Sequence, residues 1–113
     1  MTMENTRRIL QRDAHPNLFR PLALRSVMIR NRIMMSPMCQ YSASDGLADD
    51  WHFAHLAARA VGGAGIVFVE ATHVEPRGRI TKHCLGLWND AQRDRLARIA
   101  TFIAAQGAVP AIQ

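Results

Sequence analysis

The run Gly65-Ile66-Val67-Phe68-Val69-Glu70 constrains this chain more than any other stretch. It is β-branched and aromatic with no polar residue before Glu70. Such a run is too apolar for a strand with one wet face, so it is expected to be buried on both faces of a parallel sheet. Parallel neighbours need crossover connections, and the flanking sequence supplies two helical patterns. The first is capped by Asp49 or Asp50, carries Phe53, Leu56, Ala57, Ala60 and Val61 at helical spacing, and stops at Gly62-Gly63. The second opens with the capping-box pattern Asn89-x-x-Gln92, buries Leu96, Ile99, Ala100 and Ile103, and stops at Gly107. Asp94 and Arg98 are spaced for an i,i+4 ion pair on its surface. Strands are expected at 32–36 before the first helix and at 109–113 after the second. A short hairpin turning at Arg25-Ser26 precedes them.

The order strand, helix, strand, helix, strand admits a doubly wound sheet or the start of a (β/α)8 barrel. A dinucleotide fold wants GxGxxG directly after its first strand, and that place holds Ser36-Pro37-Met38-Cys39-Gln40-Tyr41-Ser42. The glycines at 62, 63 and 65 lie between helix and strand, where they end one element and admit the next. Residues 1–17 read as a flexible extension, and 18–113 as the folded part.

Composition narrows the function classes. The 113 residues are 49% hydrophobic and 20% charged, which is globular. The net charge of +5 comes from arginines spread along the chain with few aromatics among them, so no nucleic-acid surface is expected. No segment approaches the ~18 apolar residues of a membrane span, and no apolar region follows Arg7-Arg8 to make an export signal. Two cysteines, Cys39 and Cys84, without a CxxC pair, read as reduced thiols of a cytoplasmic protein.

In a barrel, chemistry occupies the loops after the strands. Those positions here are the loop beginning at Ser36, Ala71 after the central strand, and Gln113. Together they offer a flat backbone platform, polarizable sulfurs, a phenol and an amide, a set better suited to a redox-active ring than to hydrolysis. Pro37 and Met38 can lie beneath an isoalloxazine, the Cys39 thiol can tune it, and the Gln113 amide can both donate to and accept from its pyrimidine edge. Burial of Met38 and Cys39 in a core is the plainer alternative. Tyr41 can face a ligand or make a structural hydrogen bond. His52 and His55 share a helix face and read as capping or packing residues, without the further ligands of a metal site. Glu70 can act as a base or anchor backbone or an arginine. Arg77, Arg79 and Lys82 sit in a long loop that serves as a lid or is simply solvated.

Four stretches, LFRPLALRSVMIRNRIMMSPMCQYS, DWHFAHLAARAVGGAGIVFVEATHVEPRGRI, LGLWND and PAIQ, carry a resemblance over nearly everything from Leu18 onward. The chain resembles the N-terminal part of the Old Yellow Enzyme family, in the branch with Cys at position 39. The resemblance implies an α/β (β/α)8 barrel cut at its third strand, with FMN as cofactor and NADPH or NADH as reductant. It implies hydride transfer from reduced flavin to an activated alkene, an α,β-unsaturated carbonyl or nitro compound. It assigns Ser36, Pro37, Met38, Cys39, Ala71 and Gln113 to the flavin, and Cys39 and Tyr41 to the catalytic side of the ring. The family's paired donors to the substrate oxygen lie in a later part of the barrel. A barrel needs about 250 residues, so the activity is expected of a longer parent, a homo-oligomer, and the isolated piece is expected to be inactive. A small α/β module acting through self-association or a partner is the alternative.

Overall fold

The computed structural model describes residues 17–113. The 3-10 turn Asn17–Phe19 leads into a hairpin of β1 (Leu22–Leu24) and β2 (Val27–Ile29), joined by the two-residue turn Arg25-Ser26. Then come β3 (Met34–Met35), α1 (Asp50–Val61), β4 (Ile66–Val69), α2 (Asp90–Ala105) and β5 (Val109–Ile112). The last three strands form one parallel sheet in the order β3-β4-β5, with Met35 opposite Val67 and Val69 opposite Ile112. The expected strand, helix, strand, helix, strand order is present, and the strands are shorter than expected. β3 begins late because the Arg32 N–H is taken by the Leu18 carbonyl and the Ile33 N–H by Asn31 Oδ1.

Both helices cover one face of the sheet. Met35, Val67 and Val69 point into a core with Leu56 and Ala60 of α1 and Leu96, Ile99 and Ile103 of α2. Each such aliphatic side chain contributes ~1.5–3 kcal/mol by leaving water. Phe53 and Phe102 meet across the two helices at 5.0 Å, and the Arg98 guanidinium lies over the Phe53 ring. The expectation that 65–70 is buried on both faces is corrected here: Val67 and Val69 are buried, whereas Ile66 and Phe68 on the opposite face are half-exposed. A continuous apolar run tells how much burial a strand can use, not how much this stretch of chain provides. β5 leaves one edge open, beside an apolar groove of about 290 Å³ lined by Val69, Leu96, Pro110 and Ile112 among others.

The end of the sheet where strands begin is tied by polar side chains from the segment after β2. Arg30 donates to the carbonyls of Ala60 at 2.8 Å, Ala64 at 2.8 and 3.2 Å, and Gln106 at 2.6 Å. Asn31 Nδ2 donates to the Gly63 carbonyl at 2.7 Å. These carbonyls lie at or just past the C-terminal ends of α1 and α2, where the supply of helical N–H donors runs out. Gly65 must be glycine for a related reason: a Cβ there would stand 2.5 Å from the Asn31 carbonyl oxygen.

Two surface details differ from expectation. The Asp94–Arg98 pair is replaced, because Asp94 accepts from Arg93 while Arg98 reaches Asp50 at 3.6 Å across the helix pair. At the start of α2, Asn89 caps the Gln92 N–H, but the Gln92 side chain does not return to Asn89. It is wholly buried, accepting from the Trp88 N–H at 2.8 Å and donating to the Asp45 carbonyl at 2.9 Å.

Candidate functional site

Parallel strands in sequential order bring their C-terminal ends side by side. The loop after β3 folds back over the end of β4, where the Gln40 N–H donates to Glu70 Oε1 at 3.2 Å. On the other side of β4, the Gln113 N–H donates to the Val69 carbonyl at 3.3 Å, and the Gln113 carbonyl accepts from the Thr72 N–H at 2.9 Å. The loop 36–41, residues 70–72 and Gln113 therefore make one ledge along the end of the sheet. Ser36, Met38, Tyr41 and Gln113 are exposed on it, and Pro37, Cys39 and Ala71 are half-buried. Met38 is 47% exposed, outside the core formed by the described residues.

Tyr41 sits at φ 51°, the left-handed region that costs a non-glycine residue about 1–2 kcal/mol. The neighbouring Cys39 is the largest of several influences that raise its phenol above the ordinary tyrosine range. The hydroxyl therefore keeps its proton at neutral pH and is available as a donor. Cys39 is a free thiol on the ledge, whereas Cys84 is buried, where its sulfur accepts from the Thr81 N–H at 3.3 Å.

Gln40 is the residue that sequence reading passed over. Besides its backbone bond to Glu70, its side chain donates to the Met38 carbonyl at 2.8 Å and accepts from the Trp51 indole at 3.0 Å. It fixes the loop internally, to β4 and to α1. No spacing rule marks a glutamine inside a loop for such a role; only the placement of Trp51 in the first turn of α1 offers a partner.

The two histidines of α1 separate in role. His52 is 1% exposed and completes a capping box with Asp49, whose carboxylate accepts from the N–H groups of Trp51 and His52. The His52 Nδ1 lies 2.7 Å from Asp49 Oδ1, and its Nε2 lies 3.4 Å from Glu70 Oε1. Burial disfavours the charged ring, but the carboxylates of Glu70 and Asp49 outweigh it and raise its pKa above the ordinary value. For Asp49, burial likewise opposes the charge, and the bonds with His52 prevail to lower its pKa. His55 stacks on Trp51, and burial followed by the charge of Arg59 lowers its pKa. Glu70 anchors backbone by accepting from the Gln40 N–H. Among the described residues, no group of three or more His, Cys, Asp or Glu is arranged to hold a metal ion.

The long loop after the ledge is tied down. Its 83–86 stretch pairs with the loop before α1 through the Ala43 N–H to the His83 carbonyl and the Gly86 N–H to the Gly46 carbonyl. Gly46 has φ 73°, and a Cβ there would meet the Gln92 amide, so the turn under this seam admits only glycine. Arg79 bonds the Pro76 and Lys82 carbonyls and lies over the Trp88 ring, while Arg77 pairs with Glu75 in solvent. No helix among the described residues is long and apolar enough to cross a membrane.

An exposed thioether beside a proline ring, a backbone edge and an amide with both donor and acceptor suits a flat heterocycle with one polar side. Comparison with known proteins identifies the family. NADPH dehydrogenase of Listeria monocytogenes serotype 4a is 49% identical over 98 residues, 85% of this chain and 29% of that protein. An NADH:flavin oxidoreductase of Gibberella zeae is 44% identical over 103 residues, 91% of this chain and 25% of that one. The chain thus spans less than a third of the length of these relatives. Among solved structures, morphinone reductase superposes with a TM-score of 0.79 at 31% identity, covering 87% of this chain and 26% of that one. Old Yellow Enzyme from Pichia sp. AKU4542 superposes at 0.81 with 24% identity over 88% of this chain and 26% of that one, a likeness of fold. These matches decide between the two windings that three strands allow: the fold is the N-terminal portion of a (β/α)8 barrel. The model of the NADH:flavin oxidoreductase / NADH oxidase family matches residues 17–113, and the chain belongs to that family.

Proposed function

We propose that these residues form the N-terminal, flavin-facing part of an FMN-dependent NAD(P)H oxidoreductase that reduces activated alkenes, α,β-unsaturated carbonyl or nitro compounds. The observation that carries this reading is the ledge itself, where the loop 36–41, Ala71 and Gln113 lie along one end of the sheet. Its residues fit the cofactor. Pro37 and Met38 supply an apolar floor, the backbone at Ser36 and Ala71 supplies polar contacts, and the Gln113 amide reads an edge that both donates and accepts. FMN, when bound, supplies the hydride. Cys39 lies close to the ring and tunes it, and Tyr41, kept protonated, borders the substrate as a hydrogen-bond donor.

The expected division into 1–17 and a barrel segment 18–113 remains part of the proposal; all of residues 1–17 but Asn17 lie outside the described residues. The relatives' greater length supports an activity that resides in a longer protein; we propose further that this protein is a homo-oligomer and that the 113-residue chain alone is inactive. The two free thiols suit the cytoplasm. The open β5 edge and its apolar groove are where the rest of a barrel would continue.

Gel filtration with FMN, followed by a visible spectrum and addition of NADPH, tests the reading. The longer protein is expected to co-elute with flavin that NADPH bleaches and an enone re-oxidises, and the 113-residue chain to show no such turnover. A longer protein that elutes without flavin overturns the proposal. Turnover by the short chain overturns its inactivity.

A further inference from the structure

The proposed reaction uses neither His52 nor Glu70, yet these are two of the most buried polar side chains of the fold. They are also where the only buried side-chain atoms without a hydrogen-bond partner among the described residues are found, His52 Nε2 and Glu70 Oε2. An unpaired buried polar atom costs about 1–3 kcal/mol in a protein interior, so two of them on side chains in contact with each other ask for a role.

The contacts close a ring. Asp49 Oδ1 meets His52 Nδ1 at 2.7 Å, His52 Nε2 meets Glu70 Oε1 at 3.4 Å, Glu70 Oε1 accepts from the Gln40 N–H at 3.2 Å, and Gln40 Oε1 accepts from the indole of Trp51, the neighbour of His52 in α1. Nδ1 stands 2.7 Å from Asp49 Oδ1 and 3.1 Å from the Asp49 backbone N, so it faces both an acceptor and a donor; a proton on Nδ1 serves the shorter contact, with the carboxylate, at the expense of the longer one, with the N–H. A neutral ring with its proton on Nδ1 would then turn the Nε2 lone pair toward the second carboxylate. Only an imidazolium donates at both nitrogens.

We propose that Asp49, His52 and Glu70 form a buried relay in which one doubly protonated imidazole bridges two carboxylates, and that Glu70 thereby positions the 36–41 loop through Gln40. His52 and Glu70 are positioning residues, not catalytic ones: they act on the ledge from beneath. Besides the two carboxylates, the charged and titratable groups around the relay are His55 and Arg59 on α1 and Cys39 and Tyr41 on the loop. The raised pKa of His52 and the lowered pKa of Asp49 agree with the geometry. What the loop faces rests on the proposed flavin function; the relay does not.

The test is nitrogen-15 NMR of the imidazoles of the purified chain, without flavin, combined with hydrogen exchange at the Gln40 amide, in wild type, Glu70→Gln, Glu70→Ala and Asp49→Asn. Wild-type His52 is expected to be doubly protonated at neutral pH and to titrate above His55. Glu70→Gln keeps an acceptor for Gln40 and removes the charge, so the His52 midpoint falls while Gln40 stays protected. Glu70→Ala removes both, and Gln40 exchange quickens on the order of tenfold. Asp49→Asn preserves a good N-cap and also lowers the midpoint, which keeps the relay testable where the Glu70 variants unfold. A neutral His52 with a midpoint that neither Glu70→Gln nor Asp49→Asn moves overturns the relay. Gln40 exchange unchanged in a folded Glu70→Ala overturns the positioning role. Because no flavin is added, either result stands apart from the success or failure of the flavin test.

Discussion

The two ends of the β3-β4-β5 sheet are built by opposite rules. Where the strands begin, Arg30 and Asn31 satisfy the carbonyls of Ala60, Gly63, Ala64 and Gln106, and the chain approaches itself so closely at Gly65 that no side chain fits. Where the strands end, Met38 and Tyr41 are exposed, Tyr41 is in a left-handed conformation, and two buried polar atoms lack partners. The first end is finished by its own residues. The second keeps exposed side chains and a left-handed residue that the fold's own contacts do not use, as the proposed flavin-facing surface would require. In barrels generally, stability gathers at the N-terminal face and chemistry at the C-terminal one.

Substitutions at the two ends should therefore differ in what they cost. Arg30→Ala is expected to have the largest effect, a loss of roughly 3 kcal/mol read as a lower urea midpoint, because several carbonyls lose their donors together. Arg30→Lys recovers only part of it, since one ammonium cannot fork among carbonyls on both helices. Gly65→Ala should cost about 1–3 kcal/mol in the same measurement, by overpacking against Asn31. An unchanged midpoint in either variant would erase the contrast between the ends.

The pH dependence of stability sharpens the comparison, because Asp49, which caps α1, and His52 in its first turn both lie at the end of the sheet where the strands finish. His52 has a raised folded pKa, so its contribution is complete below its unfolded value of about 6.5 and is lost as pH rises through the folded one. Asp49 has a lowered folded pKa, so its contribution is present above about 3.9 and is lost as pH falls through the folded one. Unfolding midpoints measured across pH should show both limbs, and His52→Gln should flatten the alkaline one. Tyr41→Phe is expected to have the smallest effect, within about 0.5 kcal/mol, as its hydroxyl is exposed and makes no bond that the fold needs. A larger loss would mean that the phenol is structural.

The sequence showed the scaffold more clearly than the site's supports. Period and punctuation located both helices, since Asp49 and Asn89 are caps whose side chains reach the first-turn N–H groups. The ledge residues were legible too, because a parallel sheet presents at that end only the residues just past its strands. Contacts made across the fold were not legible. The second half of the α2 capping box went to Trp88 and Asp45 because the loop 43–47 lies against the end of that helix. The open face of β4 reflects how much chain is present to cover it. Gln40 and Glu70 meet over a separation of 30 residues that no local pattern encodes.

The central claim is that the 36–41 loop is the surface on which the flavin lies. Its two cysteines report on it unequally, Cys39 on the ledge and Cys84 wholly buried. The direct measurement is the rate of alkylation at each thiol in the full-length protein, with FMN removed and with FMN restored. The account expects FMN to slow Cys39 on the order of tenfold or more, by covering the thiolate's line of approach, and to leave Cys84 slow throughout. A Cys39 rate that FMN does not change, in protein shown by its spectrum to hold the flavin, would contradict it.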